Sequence, residues 1–128
     1  MKPPLANSEL AIMDLLWKNE QLTAREIREQ LYSNASKAQH GTVQKLLQRL
    51  EEKKYVKRDR SQFVHHFMAT LSRREYAGSQ LEDLASKLTS GTFAPLITHL
   101  VETSKISGKD IEEIKSILNE YEEGGENE

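Results

Sequence analysis

The spacing of apolar residues divides the chain into six predicted helices and one predicted β-hairpin. Closely spaced apolar residues at positions 10–17 predict a first helix, capped by Asn7 or Ser8 and enclosed by neighbouring elements. Thr23 and Glu26 have the spacing of a capping box, which predicts that a second, short helix begins at Thr23. The chain is therefore expected to begin with two helices that pack against other parts of the fold.

The third predicted helix has one apolar face and one polar, basic face. A polar segment at residues 32–39 predicts a loop, and a helical pattern follows from Thr42. The apolar positions, spaced i, i+3, i+4 and i+7, are Val43, Leu46, Leu47 and Leu50. The opposite face consists of Thr42, Gln44, Lys45, Gln48, Arg49 and Glu52. The pattern predicts a helix that buries one side and presents amides and cations on the other.

Residues 55–69 change to a composition rich in β-branched and aromatic side chains, which predicts a β-hairpin. Val56 and Arg58 lie on its first arm, residues 63–68 form its second arm, and residues 59–62 form the turn.

Three amphipathic helices are predicted to follow the hairpin. A capping box of Ser72 and Glu75 begins the first of them, and Gly91 ends it. Thr92 is the predicted cap of the next helix, with Pro95 in its first turn, where a missing amide costs little. These narrow apolar faces are too small to enclose a core of their own, which predicts that they close on a second copy of the chain.

The last helix is predicted to begin at Ser107, with Asp110 three residues further on, and residues 123–128 are predicted to be a frayed acidic tail. We therefore expect two domains, the first at residues 1–71 and a dimerisation domain at residues 72–122. The predicted dimerisation residues are Tyr76, Leu81, Leu84, Leu88, Phe93, Leu96, Ile97, Leu100, Val101, Ile111, Ile114 and Leu118.

Length and composition narrow the class of protein. A chain of 128 residues, 30% of them charged and 6% aromatic, fits one domain or two small ones that are mainly α-helical, and excludes a large enzyme. The sequence has no cysteine, which excludes disulfides, thiolate metal sites and iron–sulfur clusters. No apolar run suits a membrane span or a signal peptide, so a soluble cytoplasmic protein is expected.

The charge is distributed unevenly along the chain. Residues 1–71 contain 12 Lys and Arg against 8 Asp and Glu, a net charge of +4, whereas residues 72–128 contain 6 against 12, a net charge of −6. Residues 36–66 carry 8 basic against 3 acidic side chains and three of the four histidines. This distribution indicates an anionic partner for the N-terminal half.

The sequence lacks the patterns of a catalytic or metal site. His65 and His66 are adjacent on a predicted strand and therefore point to opposite faces, which does not favour a shared metal. Adjacent carboxylates such as Glu51 and Glu52 diverge on a helix, and no nucleophile elbow or phosphate-binding loop is present. We expect neither an enzyme nor a bound cofactor.

The order helix, helix, loop, helix, hairpin is that of a winged helix, in which the third helix enters the major groove of DNA. Gln44 and Gln48 suit adenine edges, and Lys45 and Arg49 suit guanine or phosphate. In the wing, Lys57, Arg58 and Arg60 suit backbone phosphates. The alternative is that the polar face of the helix is an ordinary solvated surface.

Four ordered blocks of sequence resemble the penicillinase-repressor family, which includes the β-lactamase and methicillin-resistance repressors. They are LAIMDLLW at residues 10–17, GTVQKLLQRLEEKKYV at 41–56, SRREY at 72–76 and SGKDIEEIKSIL at 107–118. The resemblance implies a homodimeric winged-helix repressor that binds a DNA operator with two-fold symmetry. It places the recognition helix at residues 41–53 and the wing at residues 58–62. The implied DNA-contacting residues are Gly41, Thr42, Gln44, Lys45, Gln48, Arg49, Arg58, Arg60, Ser61 and Gln62.

Two features depart from the family pattern. Members that are induced by proteolysis are cut at an Asn-Phe bond, and the resemblance places His99 and Leu100 at those positions. This difference argues against induction by cleavage and leaves any upstream sensor or protease unknown. Related copper-responsive repressors use C-terminal cysteines, which this chain lacks. The alternatives to a simple repressor are a protein-interaction module that does not bind DNA and a winged-helix regulator switched by a ligand.

Overall fold

The computed structural model describes residues 3–32 and 37–124 of the chain. The fold is mainly α-helical with a small antiparallel sheet, which confirms the predicted fold class. In chain order the elements are α1 (Asn7–Lys18), β1 (Leu22–Thr23), α2 (Ala24–Leu31), α3 (Lys37–Glu52), β2 (Val56–Asp59), β3 (His66–Ala69), α4 (Arg73–Leu88), α5 (Ala94–Glu102) and α6 (Gly108–Gly124).

The chain forms two compact units, Met1–Leu81 and Glu82–Glu128. The division lies within α4, ten residues beyond the predicted boundary at 71/72. The reason is that the first half of α4 packs against the N-terminal core. The Tyr76 ring lies 6.0 Å from that of Trp17 and 5.6 Å from that of Tyr55, and the Tyr76 hydroxyl accepts a hydrogen bond from the Leu5 amide at 3.0 Å.

One apolar core holds α1, α2, α3 and the sheet of the N-terminal unit together. All four predicted apolar residues of α3 are in this core, which confirms the helical spacing derived from the sequence. The remaining core positions come from the other elements and the turn that follows α3. The buried core residues are Ile12, Met13, Leu16, Leu22, Ile27, Val43, Leu46, Leu47, Leu50, Tyr55, Val56 and Phe67.

The sheet has three strands in the order β1-β3-β2, all antiparallel. Leu22 pairs with Phe67 between β1 and β3, and Arg58 pairs with Phe67 between β2 and β3. The sequence did not predict β1, because a strand of two residues has no recognisable alternation. The element order α1, β1, α2, α3, β2, β3 is that of a winged helix.

The structure corrects several predicted element ends in the N-terminal unit. Asn7 is the first residue of α1 rather than its cap, and the Glu9 carboxylate accepts the Ala6 amide at 2.9 Å. Helix α3 begins at Lys37, so residues 37–39 of the predicted loop lie in the helix. Residues 33–36 of that loop lie outside the described part. The predicted capping box of Thr23 and Glu26 is confirmed by both of its hydrogen bonds.

The hairpin arms are shorter than predicted. Strand β3 begins at His66, so Phe63, Val64 and His65 belong to the connecting loop rather than to the second arm. The wing loop is therefore defined here as residues 60–65. The prediction was wrong because Phe and Val have high strand propensity, but propensity alone does not make a strand. A strand also needs a neighbouring strand with which it can pair.

The observed ends of the C-terminal helices also differ from the predicted ends. Ser72 and Glu75 form the predicted capping box, and Ser107 accepts the Asp110 amide at 3.0 Å as expected. Thr92 does not cap α5; its hydroxyl donates to the Thr89 carbonyl, and Phe93 occupies the N-cap position. Helix α6 continues to Gly124, so the first residues of the predicted tail are helical, and residues 125–128 lie outside the described part.

A tight turn links α3 to the wing. The Tyr55 amide donates to the Leu50 carbonyl at 2.9 Å, and the Lys54 amide donates to the Glu51 carbonyl at 3.0 Å. This pair of bonds is a Schellman motif, in which one residue takes a left-handed conformation, here Lys54 with φ of 69°. The turn reverses the chain and directs it into β2.

A buried ion pair fixes the end of α3 against α1. Glu9 is only 2% exposed, and its carboxylate oxygens lie 2.9 and 3.0 Å from Lys53 Nζ. Burial raises the pKa of Glu9, but the hydrogen bonds from Lys53 and the Ala6 amide and the positive charges of Lys53 and Arg49 outweigh it, so the pKa lies below 4.5. Glu9 is therefore ionised at neutral pH.

We expect the Glu9→Gln substitution to lower the free energy of unfolding by about 2 kcal/mol at pH 7, because Lys53 loses its charged partner while the amide still accepts the Ala6 bond. Since the folded-state pKa is depressed, the contribution of Glu9 is fully present above pH 4.5 and is lost as the pH falls through the lower folded value. Urea unfolding at fixed protein concentration from pH 3 to pH 7 measures both effects.

Glu29→Gln is the matched control, since Glu29 is exposed and its ion pair with Arg25 lies at the surface. A difference between wild type and Glu9→Gln that stays constant over this pH range would contradict the assigned role of the carboxylate.

Candidate nucleic-acid interface

The predicted polar face of α3 lies on the surface of the N-terminal unit. Val43 and Leu47 are completely buried on one side of the helix. The six predicted contact residues of this helix are all exposed: Gly41, Thr42, Gln44, Lys45, Gln48 and Arg49. The Gln48 amide nitrogen lies 3.5 Å from a Glu52 carboxylate oxygen, a long contact along the helix surface. Core packing thus determines which face of α3 is available to a partner.

The wing loop begins with a turn formed by Asp59 and Ser61. The Ser61 amide donates to Asp59 Oδ1 at 2.9 Å. The pKa of Asp59 lies below its usual value of 3.8, because hydrogen bonds from the Ser61 hydroxyl and amide stabilise the carboxylate and nearby His66 and His65 add to the effect. Ser61 therefore shapes the loop, while Ser61 and Gln62 are both exposed as the sequence predicted for contact residues.

Glu51, near the end of α3, pairs with both predicted wing arginines. Its Oε1 lies 3.1 Å from a guanidinium nitrogen of Arg58, and its Oε2 lies 3.4 Å from one of Arg60. The Arg58 guanidinium also lies 4.7 Å from the centre of the Phe67 ring, which is part of the core. Arg58 is mostly buried and joins the wing to α3, whereas Arg60 extends into solvent.

A cleft of about 800 Å³ separates α2, α3 and the wing. Gln44 and Gln48 of α3 line one side, and the wing loop contributes Phe63, Val64 and His65 on another. The α2 side contributes Thr23, Ala24, Arg25 and Arg28. The cleft is also lined by His40, Arg58 and Phe67. Amide, cationic and apolar groups from three elements therefore meet around one open space.

Arg28 is held at the inner part of this cleft. One guanidinium nitrogen lies 3.4 Å from His40 Nδ1, and another lies 3.8 Å from Glu29. The buried Nε atom of Arg28 has no hydrogen-bond partner among residues 3–32 and 37–124. This Nε atom is enclosed by the protein, so a partner does not reach it without rearrangement.

Sequence reasoning missed the cleft residues Arg25, Arg28, Phe63 and Val64 as candidates for contact. The two arginines are spaced i, i+3, which places them on one face of α2, but that signal alone does not show that the face borders α3 and the wing. The sequence predicts a strand at Phe63 and Val64, and only the start of β3 at His66 shows that they lie in the loop.

The predicted dimerisation residues do not share one environment. Tyr76 packs against the N-terminal core, as its contacts with Trp17 and Tyr55 show, and its role in dimerisation stays a prediction. The others lie on α4, α5 and α6 or directly before α5. Most are exposed in the single chain: Leu81, Leu84, Leu88, Phe93, Ile97, Leu100, Val101 and Leu118. Leu96, Ile111 and Ile114 are partly buried.

Residues 3–32 and 37–124 contain no group of three or more metal-ligating side chains. No helix in the same ranges is long and apolar enough to cross a membrane.

The sequence of the whole chain was compared with known proteins. A model of the penicillinase repressor family matches residues 5–120. The chain belongs to the penicillinase repressor family. Members of this family are transcriptional repressors, which places the chain among regulators of transcription rather than among enzymes.

Similar members of the penicillinase repressor family come from several bacteria. The chain is 31% identical to the transcriptional regulator BlaI of Mycobacterium tuberculosis over 94% of its own length and 86% of that protein. It is 24% identical to the penicillinase repressor of Bacillus licheniformis over 93% and 92% of the two lengths. The methicillin resistance regulatory protein MecI of Staphylococcus aureus is 22% identical over 90% and 93%.

We expect Glu51→Gln to strengthen binding to DNA of any sequence by about two- to fivefold, the size of one surface charge interaction. The substitution removes a negative charge at the end of α3, beside the wing, and frees Arg60 from its partner. Fluorescence anisotropy with random-sequence duplexes at several salt concentrations measures the change.

Glu112→Gln is the control, because Glu112 pairs with Lys115 within α6 and its loss changes the net charge equally. Equal effects of the two substitutions would mean that net charge alone, and not the position of Glu51, controls the affinity.

Proposed function

We propose that the protein is a dimeric repressor that binds a two-fold symmetric DNA operator through α3 and the wing. The observation that supports this function most directly is the exposure of the entire predicted contact face of α3, while the opposite face is fixed in the core. A helix held in this way can enter a major groove without rearrangement.

In this proposal, α3 reads bases through its amides and cations. Gln44 and Gln48 are one turn apart on the side that borders the cleft, which suits bidentate bonds to successive adenines. Lys45 and Arg49, also one turn apart, suit guanine or phosphate. The methyl group of Thr42 contacts a thymine methyl.

Backbone phosphates are held on both sides of α3. Arg60 is 60% exposed on its side chain and lies on the wing, and Arg25 is 76% exposed on α2. Arg28 and His40 line the cleft beside α3. The arginines supply affinity and orientation, whereas the amides and cations of α3 supply sequence preference.

The C-terminal unit supports the dimer. Among its described residues, 82–124, only Ala85 is buried in the single chain. Large apolar side chains such as Leu88, Leu118 and Tyr121 are more than half exposed. Apolar surface of this extent on three helices is covered when two copies associate, and symmetric association also creates the two-fold relation between the DNA-reading helices.

Induction of this repressor does not follow the cleavage route in our proposal. His99 and Leu100 occupy the position at which the family resemblance expects an Asn-Phe bond, and both lie within α5. The chain also lacks the cysteines of copper-responsive relatives.

We expect Gln48→Ala to weaken binding to a selected operator by about 1–3 kcal/mol and to leave binding to random DNA unchanged, because Gln48 contacts base edges. The operator is obtained by selection from a randomised pool, beginning with the upstream region of the gene itself. Titration at two salt concentrations measures both affinities.

Arg60→Ala is the matched comparison. It is expected to weaken binding to both DNAs alike and to lower the salt slope by about one. If Gln48→Ala affected both DNAs equally, its base-reading role would be wrong; if wild-type protein bound neither DNA, the repressor function itself would fail in favour of a protein-interaction module.

We expect Leu118→Glu to convert the dimer into monomers and to reduce operator affinity by at least about tenfold, because a charge is placed in the proposed apolar interface. Sedimentation equilibrium measures the state of association. Ser116→Glu, at an exposed polar position of the same helix, is expected to leave the dimer intact.

A further inference from the structure

The wing loop presents an apolar tip to solvent. Phe63 is 100% exposed and Val64 is 53% exposed, although both adjoin the strand that carries core residue Phe67. Burial of a Phe side chain is worth about 1.5–3 kcal/mol, and none of that gain is realised within the folded chain. The fold therefore gives no stabilising reason for a Phe at this position.

The surroundings of the tip favour nucleic acid over protein as its partner. Residues 57–66 carry Lys57, Arg58 and Arg60 and two histidines. The acidic groups beside them are Asp59 in the same segment and Glu51 of α3, which pairs with Arg58 and Arg60. The Asp59 carboxylate is already engaged by Ser61. A DNA groove has negatively charged phosphates at its edges and apolar base and sugar surfaces inside. An apolar side chain on a cationic loop matches such a groove.

The tip is also continuous with the proposed reading surface. Phe63 and Val64 line the same cleft as Gln44 and Gln48 of α3. When α3 lies in a major groove, Arg60 at the start of the loop reaches the adjoining phosphates. Phe63 lies three residues further along the loop than Arg60. A docking that places Arg60 on these phosphates therefore brings the tip towards the next groove, which is the minor groove.

We propose that Phe63 enters the minor groove beside each half-site and inserts partly between two base pairs, while Val64 packs against a deoxyribose. This inference rests on the proposed function. Apolar side chains are used in this way by proteins that kink DNA at the minor groove. The wing would then select flanking steps that unstack easily, such as TA and CA, through deformability and without hydrogen bonds to bases.

The test uses the full-length protein and the duplex that the wild-type protein selects from a randomised pool. The flanking step beneath the wing is varied between TA and GC, and 2-aminopurine is placed at this step to report unstacking. Phe63→Ala is compared with Phe63→Leu, which keeps an apolar wedge. Thermal unfolding confirms that both variants are folded, which is expected because residue 63 makes no core contact.

We expect Phe63→Ala to weaken binding to the TA-flanked duplex by about 5- to 100-fold, the range found when a base-stacking aromatic is removed. Its affinity should no longer depend on the flanking step, and the 2-aminopurine fluorescence should no longer rise on binding. The salt slope should stay unchanged, because no phosphate contact is lost. Phe63→Leu should retain most of the flank preference.

The outcomes separate this inference from the proposed function. Wild-type protein that binds and selects a half-site, with Phe63→Ala indistinguishable from it on both flanks, overturns the wedge and leaves the repressor function intact. Failure of wild-type protein to select any duplex overturns the proposed function itself. Loss of affinity on both flanks with an altered salt slope overturns the wedge in favour of an electrostatic role for the loop.

Discussion

The arrangement of the N-terminal unit depends on the burial of one face of α3. Val43, Leu46, Leu47 and Leu50 lock this helix into the core, and the helical period then fixes which residues face outward. Gln44 and Gln48 are therefore exposed as a direct result of core packing. Rotation of the helix by even part of a turn would expose leucines and bury cations, so the free energy that stabilises the fold also maintains the chemistry of the contact face.

Two carboxylates secure the C-terminal end of the same helix. Glu9 of α1 binds Lys53, just beyond the end of α3, and Glu51 of α3 binds Arg58 and Arg60 of the wing. The first pair is buried and connects the helix to the core. The second is partly exposed and connects it to a loop that lies beside it. Together with the turn at Lys54, these pairs set the position of the wing relative to α3 while the tip of the loop stays outside the core.

The sequence predicts those elements correctly whose structure is determined by residues close together in the chain. The apolar spacing of α3 and the capping boxes at Thr23 and Ser72 were predicted because each involves residues within one or two helical turns. Features that depend on distant residues were not: strand β1 exists only because Leu22 meets Phe67 across the sheet, and Tyr76 joined the core through contacts with Trp17 and Tyr55. The cleft is the clearest case, since Arg28 and Phe63 are far apart in the chain and come together only in the fold.

The exposure of Phe63 has a consequence for how such a regulator diverges. The side chain is in contact with water in both the folded and the unfolded chain, so selection for folding does not act on it. Substitutions on α3 are constrained because contact and core residues alternate along one helix, and most core changes destabilise. Changes that alter activity often lower stability, but a substitution at the exposed wing tip does not have this cost. If the tip contacts DNA as proposed, duplicated copies of the gene acquire different operator preferences through the loop first, with the scaffold unchanged.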